Sequence, residues 1–280
     1  MSTLTPAQLQ SVRQIVNNAL DAAANVTLPR FRQPIAVDNK DEFGFDPVTV
    51  ADREAEQVLR NALTSALPLA AFLGEEDSVA PVQLDSSAQI ELNDALQKSL
   101  TWVVDPIDGT RAFITGLPLW GTLIALNDGN EVLFGALDQP WLGERFLGYG
   151  DHAERLYQGS TNPLKTRTER PLNECIVQTT TPDMFDNDQS RSGFNRVRDR
   201  VSMTRYGGDC YAYALLSMGG IDAVVESCLQ PYDVQALIPI VQGAGGVMTN
   251  WDGGPCLSGG SVVAAANTSV HKQLLEALNG

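Results

Sequence analysis

The residues best suited to chemistry are Asp105 and Asp108, two acids at the end of an apolar run. The β-branched and aromatic side chains at 102–104 indicate a buried strand that ends where the acids begin. Pro106 supplies no backbone donor and Gly109 permits a tight turn, so two carboxylates three residues apart can converge. Oxygen ligands of this kind suit a hard cation such as Mg²⁺. A plain Asp-Pro, Asp-Gly surface turn is the alternative.

Further oxygen ligands stand nearby or at similar places along the chain. The carbonyl of Ile107 lies between the two acids and could join them. Glu75 and Glu76 follow the apolar run 69–73, which we predict to be a buried strand, and Asp233 precedes an apolar helix. Clustered acids repel one another, which favours a compensating cation, although a solvated acidic turn would also explain Glu75 and Glu76.

Composition limits the classes of partner. The chain has 280 residues, 43% of them hydrophobic, and a net charge of -15, so it is long enough for a sizeable core. We expect no nucleic-acid or membrane partner, because both are bound through basic patches. So acidic a site could hold a phosphate group only through intervening cations. Without a basic and apolar leader or an apolar run near ~18 residues, we expect a cytoplasmic enzyme.

Cysteine and histidine usage excludes other chemistries. The four cysteines are widely spaced and form no CxxC pair, so we expect buried free thiols. They are Cys175, Cys210, Cys228 and Cys256. His152 and His271, the two histidines of the chain, are both predicted to be solvated. Their scarcity argues against histidine metal clusters and against a histidine base.

The first half of the chain reads as helices followed by an antiparallel sheet. Thr5-Pro6 predicts a helix start, with apolar periodicity to about residue 24, and 37–45 reads as an exposed loop. Thr49 with Asp52 resembles an acidic capping box at the start of a second helix. Three strands are predicted after the central turn, with a hairpin turn at 127–130. Their ranges are 119–126, 131–137 and 145–149.

The second half alternates strands and helices, which suggests α/β layering. The polar segment 159–170 is predicted to divide the chain into an N-terminal half at 1–160 and a C-terminal half at 161–280. The predicted strands cover 175–179, 221–226 and 262–266. The predicted helices cover parts of 183–200, then 207–218, 234–242 and 270–278.

Taken in order, four acidic motifs resemble the inositol monophosphatase family of Mg²⁺-dependent phosphomonoesterases. They are Asp46-Pro-Val-Thr-x-x-Asp52, Gly74-Glu-Glu76, Trp102-Val-Val-Asp-Pro-Ile-Asp-Gly-Thr110, and Asp233-x-x-Ala236 followed by Gly-Gly at 245–246. The resemblance covers nearly the whole chain. It implies an α+β fold, a layered α/β/α/β/α sandwich, and a homodimer.

Within that family, four stretches are similar to the histidinol-phosphate phosphatase branch. They are 39–49, with Asn39-Lys40 and Gly44-Phe-Asp-Pro-Val-Thr49, then 108–113, 206–213 and 231–236. The resemblance implies hydrolysis of L-histidinol phosphate in histidine biosynthesis. Tyr232 stands where the wider family has tryptophan, but the adjacent Asp233 is kept.

The resemblance assigns metal ligands residue by residue. Glu75, Asp105 and the Ile107 carbonyl would bind one Mg²⁺. Asp105, Asp108 and Asp233 would bind a second, and Glu75 with water a weaker third, so two or three ions are expected. Paired cations ~3.5–4 Å apart can activate water and stabilise the leaving oxygen.

Catalytic roles follow from the same resemblance. Thr110 and Glu75 would orient the attacking water, Asp52 and Thr49 would support them, and Glu76 would lie behind. The capping box alone would also explain Thr49 and Asp52. Backbone N–H groups of Gly109 and Thr110 would bind the phosphate at a helix start.

Asp209 and Glu226 occupy positions that line the alcohol side of the pocket in the family. Carboxylates there would favour a cationic alcohol such as histidinol over a neutral one. The alternatives are a helix N-cap for Asp209 and a strand-end surface acid for Glu226. Arg111 could bind the phosphate or pair with a neighbouring acid, and the two roles stay open.

Two other functions stay open. The first is an inositol-1-monophosphatase, or another sugar-phosphate phosphatase of the same fold. The second, from a different class, is a catalytically silent metal- or ligand-binding protein. The intact acids and Thr110 speak against the second.

Overall fold

The computed structural model describes residues 4–40, 47–76 and 94–280, and every structural statement below concerns these residues. Parts of the sequence predictions fall outside them. These are the end of the loop at 37–45 and Asp46.

Helices and strands cover most of the described chain. The helices are α1 (Pro6–Thr27), α2 (Val50–Ala66), α3 (Asp94–Ser99), α4 (Thr110–Thr115), α5 (Asp188–Arg198), α6 (Asp209–Ser217), α7 (Pro231–Val234), α8 (Leu237–Gly243) and α9 (Thr268–Asn279). The strands are β1 (Val37–Asn39), β2 (Pro47–Thr49), β3 (Ala71–Gly74), β4 (Thr101–Asp108), β5 (Gly121–Asn127), β6 (Val132–Gln139), β7 (Glu144–Tyr149), β8 (His152–Tyr157), β9 (Ser160–Pro163), β10 (Ile176–Thr179), β11 (Met203–Tyr206), β12 (Ala223–Leu229), β13 (Val247–Asn250) and β14 (Gly260–Ala265).

A seven-stranded sheet forms the first half, in the order β3-β4-β5-β6-β7-β8-β9. β3 pairs with β4 in parallel, and the remaining neighbours are antiparallel. Successive side chains on a strand point to opposite faces. Trp102 and Val104 therefore pack with α1 and α2, whereas Val103 lies in the cluster on the other face.

A five-stranded sheet in the order β11-β10-β12-β14-β13 forms the second half. Helices α6 and α8 lie between the two sheets, where Leu216 and Val241 share one apolar cluster with Val103 and Val224. Helices α5 and α9 cover the outer face through a separate cluster. The predicted α/β/α/β/α sandwich is confirmed.

Glycines allow the central helix layer to approach the sheet. A Cβ atom at Gly135 would lie 2.1 Å from the carbonyl oxygen of Ala236, and one at Gly148 would lie 2.3 Å from backbone atoms of Pro239 and Ile240. Helix α8 therefore lies directly on β6 and β7. The predicted helix at 234–242 is divided into α7 and α8, because Pro239 cannot donate to the carbonyl of residue 235.

Two N-terminal predictions need correction. The strand predicted as buried at 69–73 is β3, an edge strand in the described sheet, and Leu73 is 40% exposed. The segment predicted as a loop from residue 37 begins with β1, which is exposed but pairs with β2. Because β3 lies at the edge of the sheet, the apolar side chains of 69–73 are not all covered, although their pattern resembles that of a buried strand.

Besides β1 and β2, four strands were not predicted: β8, β9, β11 and β13. Most side chains of these four strands are exposed or half-buried, and β9 is wholly exposed, so their composition lacks the apolar alternation of a strand. The β8–β9 hairpin crosses residue 160, and one apolar cluster contains residues from both halves. The division into 1–160 and 161–280 stays a prediction.

The histidines and cysteines differ in part from expectation. His271 is buried, not solvated, and one ring nitrogen lies 2.8 Å from the Thr249 hydroxyl. Burial lowers its pKa. All four cysteines are free, but Cys228 is exposed. Among the described residues, no helix combines the length and apolar character needed to cross a membrane.

Candidate active site

The predicted turn at the end of β4 brings its two acids towards one point. The pairing of β4 with β5 shifts register between Asp105 and Asp108, where Pro106 interrupts the ladder. Thr122 on β5 donates its hydroxyl to the Pro106 carbonyl at 2.8 Å, and the Ile107 N–H donates to Asp105 at 3.0 Å. These bonds hold the turn in place.

Asp233 joins this pair from the second half of the chain. One carboxylate oxygen from each of Asp105, Asp108 and Asp233 lies within 4.8 Å of the others. The Gln230 N–H donates to Asp233 at 2.7 Å, and the Cys210 N–H donates to Asp108 at 3.0 Å. Residues distant in sequence thus form one oxygen cluster.

Glu75 lies beside this cluster and also contacts a lysine. Its carboxyl interacts with that of Asp105. Lys40 Nζ lies 3.0 Å from Glu75 Oε1 and 2.7 Å from Glu76 Oε1. Burial alone would lower the pKa of Lys40, but the two glutamates raise it overall. The ion pair was not predicted, since nothing local links residues 35 positions apart.

The electrostatics of the cluster indicate a need for positive charge. Asp105 is 2% exposed, and burial followed by the charges of Glu75, Asp108 and Asp233 raises its pKa well above the usual range. The pKa of Asp108 is raised in the same way, first by burial and then by the negative charges of Asp233 and Asp209. A buried group of like charges is stabilised by a bound cation. The donors are all oxygens, so they fit Mg²⁺.

Thr49, Asp52 and Thr110 form a second chain of contacts. The predicted capping box is confirmed: the Thr49 N–H and hydroxyl donate to Asp52 Oδ2 at 2.8 and 2.5 Å. Thr110 donates its hydroxyl towards Asp52 Oδ1 at 3.3 Å and the Ile107 carbonyl at 3.1 Å. Asp52 is therefore both a helix cap and a partner of Thr110.

Most of the predicted site residues line one cavity of about 170 Å³. They are Glu75, Asp105, Ile107, Asp108, Gly109, Thr110, Asp209, Glu226 and Asp233. Thr49 and Asp52 lie behind the lining through Thr110, and Arg111 is exposed and does not line the cavity.

Glu226 is not the surface acid of the alternative interpretation. It is 3% exposed, and it accepts hydrogen bonds from the Thr180 N–H and hydroxyl and from the Tyr213 hydroxyl, at 2.9, 2.6 and 2.8 Å. Burial raises its pKa, and these bonds oppose the rise. Thr180 and Tyr213 line the cavity and were not predicted, because only the fold brings them to Glu226.

Asp209 is the first residue of α6, and its N-cap is Gly208, so the N-cap interpretation of Asp209 is wrong. Its φ of 44° is unusual for a residue with a side chain. Burial, and then the charge of Glu226, raises its pKa to about 6, while Arg111 opposes the rise. The cavity therefore has acidic groups on two sides.

Comparison with known proteins agrees with this geometry. The family model described as the inositol monophosphatase family matches residues 8–280. A bifunctional phosphatase of Arabidopsis thaliana (IMPL2, chloroplastic) is 36% identical over 286 residues, covering 99% of this chain and 78% of that protein. A histidinol-phosphatase of Streptomyces coelicolor is 32% identical over 267 residues, covering 92% and 93% of the two chains.

The fold is also that of a solved relative. The structure of an inositol monophosphatase from Zymomonas mobilis matches with a TM-score of 0.80 and 35% identity, covering 99% of this chain and 100% of that one. That family is metal-dependent, in agreement with the acidic cluster. The chain belongs to the inositol monophosphatase family and is a phosphatase of that family.

Proposed function

We propose that this phosphatase hydrolyses L-histidinol phosphate to L-histidinol and phosphate in histidine biosynthesis, with Mg²⁺ as its metal. The observation that carries the proposal is that Asp209 and Glu226 both line the cavity. The family resemblance assigns their positions to the alcohol part of the substrate. Histidinol carries an ammonium and an imidazole, whereas inositol offers only neutral hydroxyls. Charge-assisted hydrogen bonds to carboxylates favour the cationic alcohol.

The metal ligands in this proposal are those of the family resemblance. Glu75, Asp105 and the Ile107 carbonyl hold one ion, and Asp105, Asp108 and Asp233 hold a second. Glu75 contributes to a weaker third ion. When bound, the ions supply positive charge to the phosphoryl oxygens and activate the attacking water. The raised pKa values of Asp105 and Asp108 support these assignments, because such crowded carboxylates are stabilised by cations.

The protein groups then orient the reactants. Thr110 and Glu75 hold the attacking water, and Asp52, fixed by Thr49, accepts the Thr110 hydroxyl and so orients it. Gly109 and Thr110 present backbone N–H groups to the phosphate. Water adds to phosphorus as the P–O bond to the alcohol breaks. One proton of that water ends on the alcohol oxygen, and the other stays on the released phosphate.

The contacts of Glu226 support a role in alcohol recognition. A carboxylate has about four acceptor positions, and Thr180 and Tyr213 use three of them in the described structure. The remaining position on Oε2 suits a single donor from the substrate. Arg111, exposed near Asp209, keeps both of its possible roles, phosphate binding or charge pairing.

The test is a comparison of L-histidinol phosphate with inositol 1-phosphate and a set of sugar phosphates, each with Mg²⁺ and with EDTA. We expect turnover of histidinol phosphate to exceed that of the others and EDTA to abolish it. A preference for inositol 1-phosphate would reject the substrate assignment and would agree with the name inositol monophosphatase given to the Zymomonas mobilis relative. Absence of turnover on every phosphomonoester would favour a silent binding protein instead.

Acidification should weaken binding of histidinol phosphate more than that of inositol 1-phosphate. The raised pKa of Asp209, about 6, means that its carboxylate gains a proton as the pH falls through 6 and loses its attraction for a cation. The KM for histidinol phosphate divided by the KM for inositol 1-phosphate should therefore rise about 10-fold or more as the pH is lowered from 8 to 5. Both substrates carry a phosphate that titrates near pH ~6, so the ratio cancels that effect. Protonation of the histidinol imidazole, whose ordinary pKa is ~6.5, does not cancel, and because it adds positive charge to the substrate it opposes the expected rise.

Asp209→Asn is the matched control for this pH profile. It should show a raised KM for histidinol phosphate at neutral pH, and its KM ratio should not rise as the pH falls. A ratio that still rises as the pH falls in this variant would assign the titration to another group. The homodimer and the cytoplasmic location stay predictions that belong to the same proposal.

A further inference from the structure

A fully buried acid on α2 lies behind the proposed metal site. Glu56 is 0% exposed, and it stands four residues after Asp52, on the same face of the helix. Asp52 contacts Thr110 from that face. Glu56, one turn later, contacts the segment that follows β3, so one helix face serves two parts of the site.

The contacts of Glu56 are directed and specific. Its Oε2 accepts the backbone N–H of Glu76 at 2.6 Å, and its Oε1 accepts from the Arg60 guanidinium at 3.0 Å. Arg60 in turn lies over the ring of Phe72 on β3, 4.1 Å from its centroid. A buried charge is tolerated when it is paired and hydrogen-bonded, and Glu56 meets both conditions.

Gly74 makes this approach possible. A Cβ atom at residue 74 would lie 2.3 and 2.7 Å from the two carboxylate oxygens of Glu56. Any side chain there would displace the carboxylate. Glycine is therefore required at position 74 of the Gly-Glu-Glu motif because the Glu56 carboxylate occupies the space of a Cβ atom, and not because of its backbone conformation.

Glu75 lies between two anchored backbone groups. Its own N–H donates to the Val104 carbonyl on β4 at 3.2 Å, and the next N–H, of Glu76, donates to Glu56. Both peptide groups that flank the Glu75 Cα are thus fixed, and with them the direction in which its side chain leaves the backbone.

We propose that Glu56 is a positioning residue for the phosphatase reaction: by holding the Glu76 N–H, it orients Glu75 towards the acidic cluster. The inference rests on the proposed role of Glu75 as a metal ligand. Glu56 itself does not line the cavity and touches no substrate. It acts through the backbone, with Arg60 as the group that holds it.

The first experiment compares Glu56→Gln with Glu54→Gln, a control on the same helix. Glu54 is exposed and pairs with Arg30. Glutamine has one acceptor oxygen for the two donors, so its NH2 group must face either the Glu76 N–H or the Arg60 guanidinium. We therefore expect Glu56→Gln to weaken Mg²⁺ binding about 10-fold or more, as loss of a partner behind a metal ligand typically does. Calorimetric titration with Mg²⁺ measures this directly. The Mg²⁺ concentration that gives half-maximal activity should rise by a similar factor, whereas kcat at saturating Mg²⁺ should change much less.

Thermal unfolding without metal separates positioning from structural support. A lower Tm for Glu56→Gln with Mg²⁺ affinity equal to that of Glu54→Gln would overturn the proposal. If the wild-type chain hydrolyses its substrate with Mg²⁺ but Glu56→Gln behaves like the control, this inference alone fails. A wild-type chain that binds no Mg²⁺ overturns both the inference and the proposed function.

A double-mutant cycle with Gly74 gives a second test. Gly74→Ala should weaken Mg²⁺ binding in the wild-type background, because its Cβ displaces the Glu56 carboxylate. In a Glu56→Ala background the displaced group is gone, so the same change should add little. Fully additive effects on Mg²⁺ affinity would contradict the proposal, since residues that act through one contact are not additive.

Discussion

Asp108→Asn should lower hydrolysis by about 1000-fold or more while leaving the metal-free protein at least as stable as wild type. The activity loss follows because the carboxylate charge stabilises a bound cation, and such metal stabilisation amounts to several kcal/mol. The amide keeps nearly the same shape, and its oxygen can still accept the Cys210 N–H that Asp108 accepts at 3.0 Å. Steady-state rates and Tm values in EDTA measure the two effects.

The sign of the stability effect follows from linkage. Burial, then Asp233 and Asp209, raises the folded-state pKa of Asp108 well above its ordinary value of 3.8. The metal-free folded state therefore binds more protons than the unfolded state, and stability falls as the pH rises above about 4. Removing the ionisable group removes this loss of stability, so the Tm of metal-free Asp108→Asn at neutral pH should equal or exceed that of the wild type.

Mg²⁺ should reverse this order of stability, because a ligand at 100 times its Kd stabilises by about 2.7 kcal/mol and the variant binds it less well. Asp199→Asn is the matched control, since Asp199 is exposed and pairs with the neighbouring Arg198. An Asp108→Asn variant that keeps wild-type turnover would reject the acidic cluster as the catalytic centre.

Thr110→Val should reduce kcat by about 100-fold or more with a smaller change in KM. The Thr110 hydroxyl lies 3.3 Å from Asp52 Oδ1 and 3.1 Å from the Ile107 carbonyl oxygen. Valine has a similar shape but no hydroxyl, and groups that position a proton in the transition state contribute typically 10²–10⁴-fold. Steady-state kinetics at saturating Mg²⁺ measure the effect.

Two variants bracket this result. Thr110→Ser restores the hydroxyl and should recover most of the rate. Thr115→Val changes an exposed threonine of the same helix, whose hydroxyl donates to the Arg111 carbonyl at 2.7 Å, and it should change kcat little. Equal loss of activity in Thr110→Val and Thr115→Val would indicate that α4 had been disturbed instead.

Local features of the site could be predicted because their physical causes lie within a few residues. The Thr49–Asp52 capping box depends on a spacing of three positions, and it forms as expected. The turn at Pro106 likewise follows from a missing backbone donor and from Gly109 with its φ of 83°. The layered fold was predicted through the family resemblance, which depends on four motifs in order.

Interactions between distant segments could not be predicted from composition or spacing. The hydrogen bond from the Cys210 N–H to Asp108 joins residues 102 positions apart in sequence. The ion pair between Lys40 and Glu75 joins residues 35 positions apart. Glu226 was open to interpretation as a surface acid, and His271 was predicted to be solvated, but both are buried. Burial is decided by which elements pack against a residue, and a single strand or helix carries little information about that.

The sequence by itself determined which acids could bind a metal, the capping box at the start of α2, and to which family the motifs are similar. Only the tertiary structure decided that Lys40 pairs with Glu75, that Thr180 and Tyr213 hold Glu226, and that Glu56 holds Glu76. The reason is that backbone propensities act over a few residues. The convergence of side chains instead depends on sheet register and on the close packing of helices α2, α6 and α8 against the sheets.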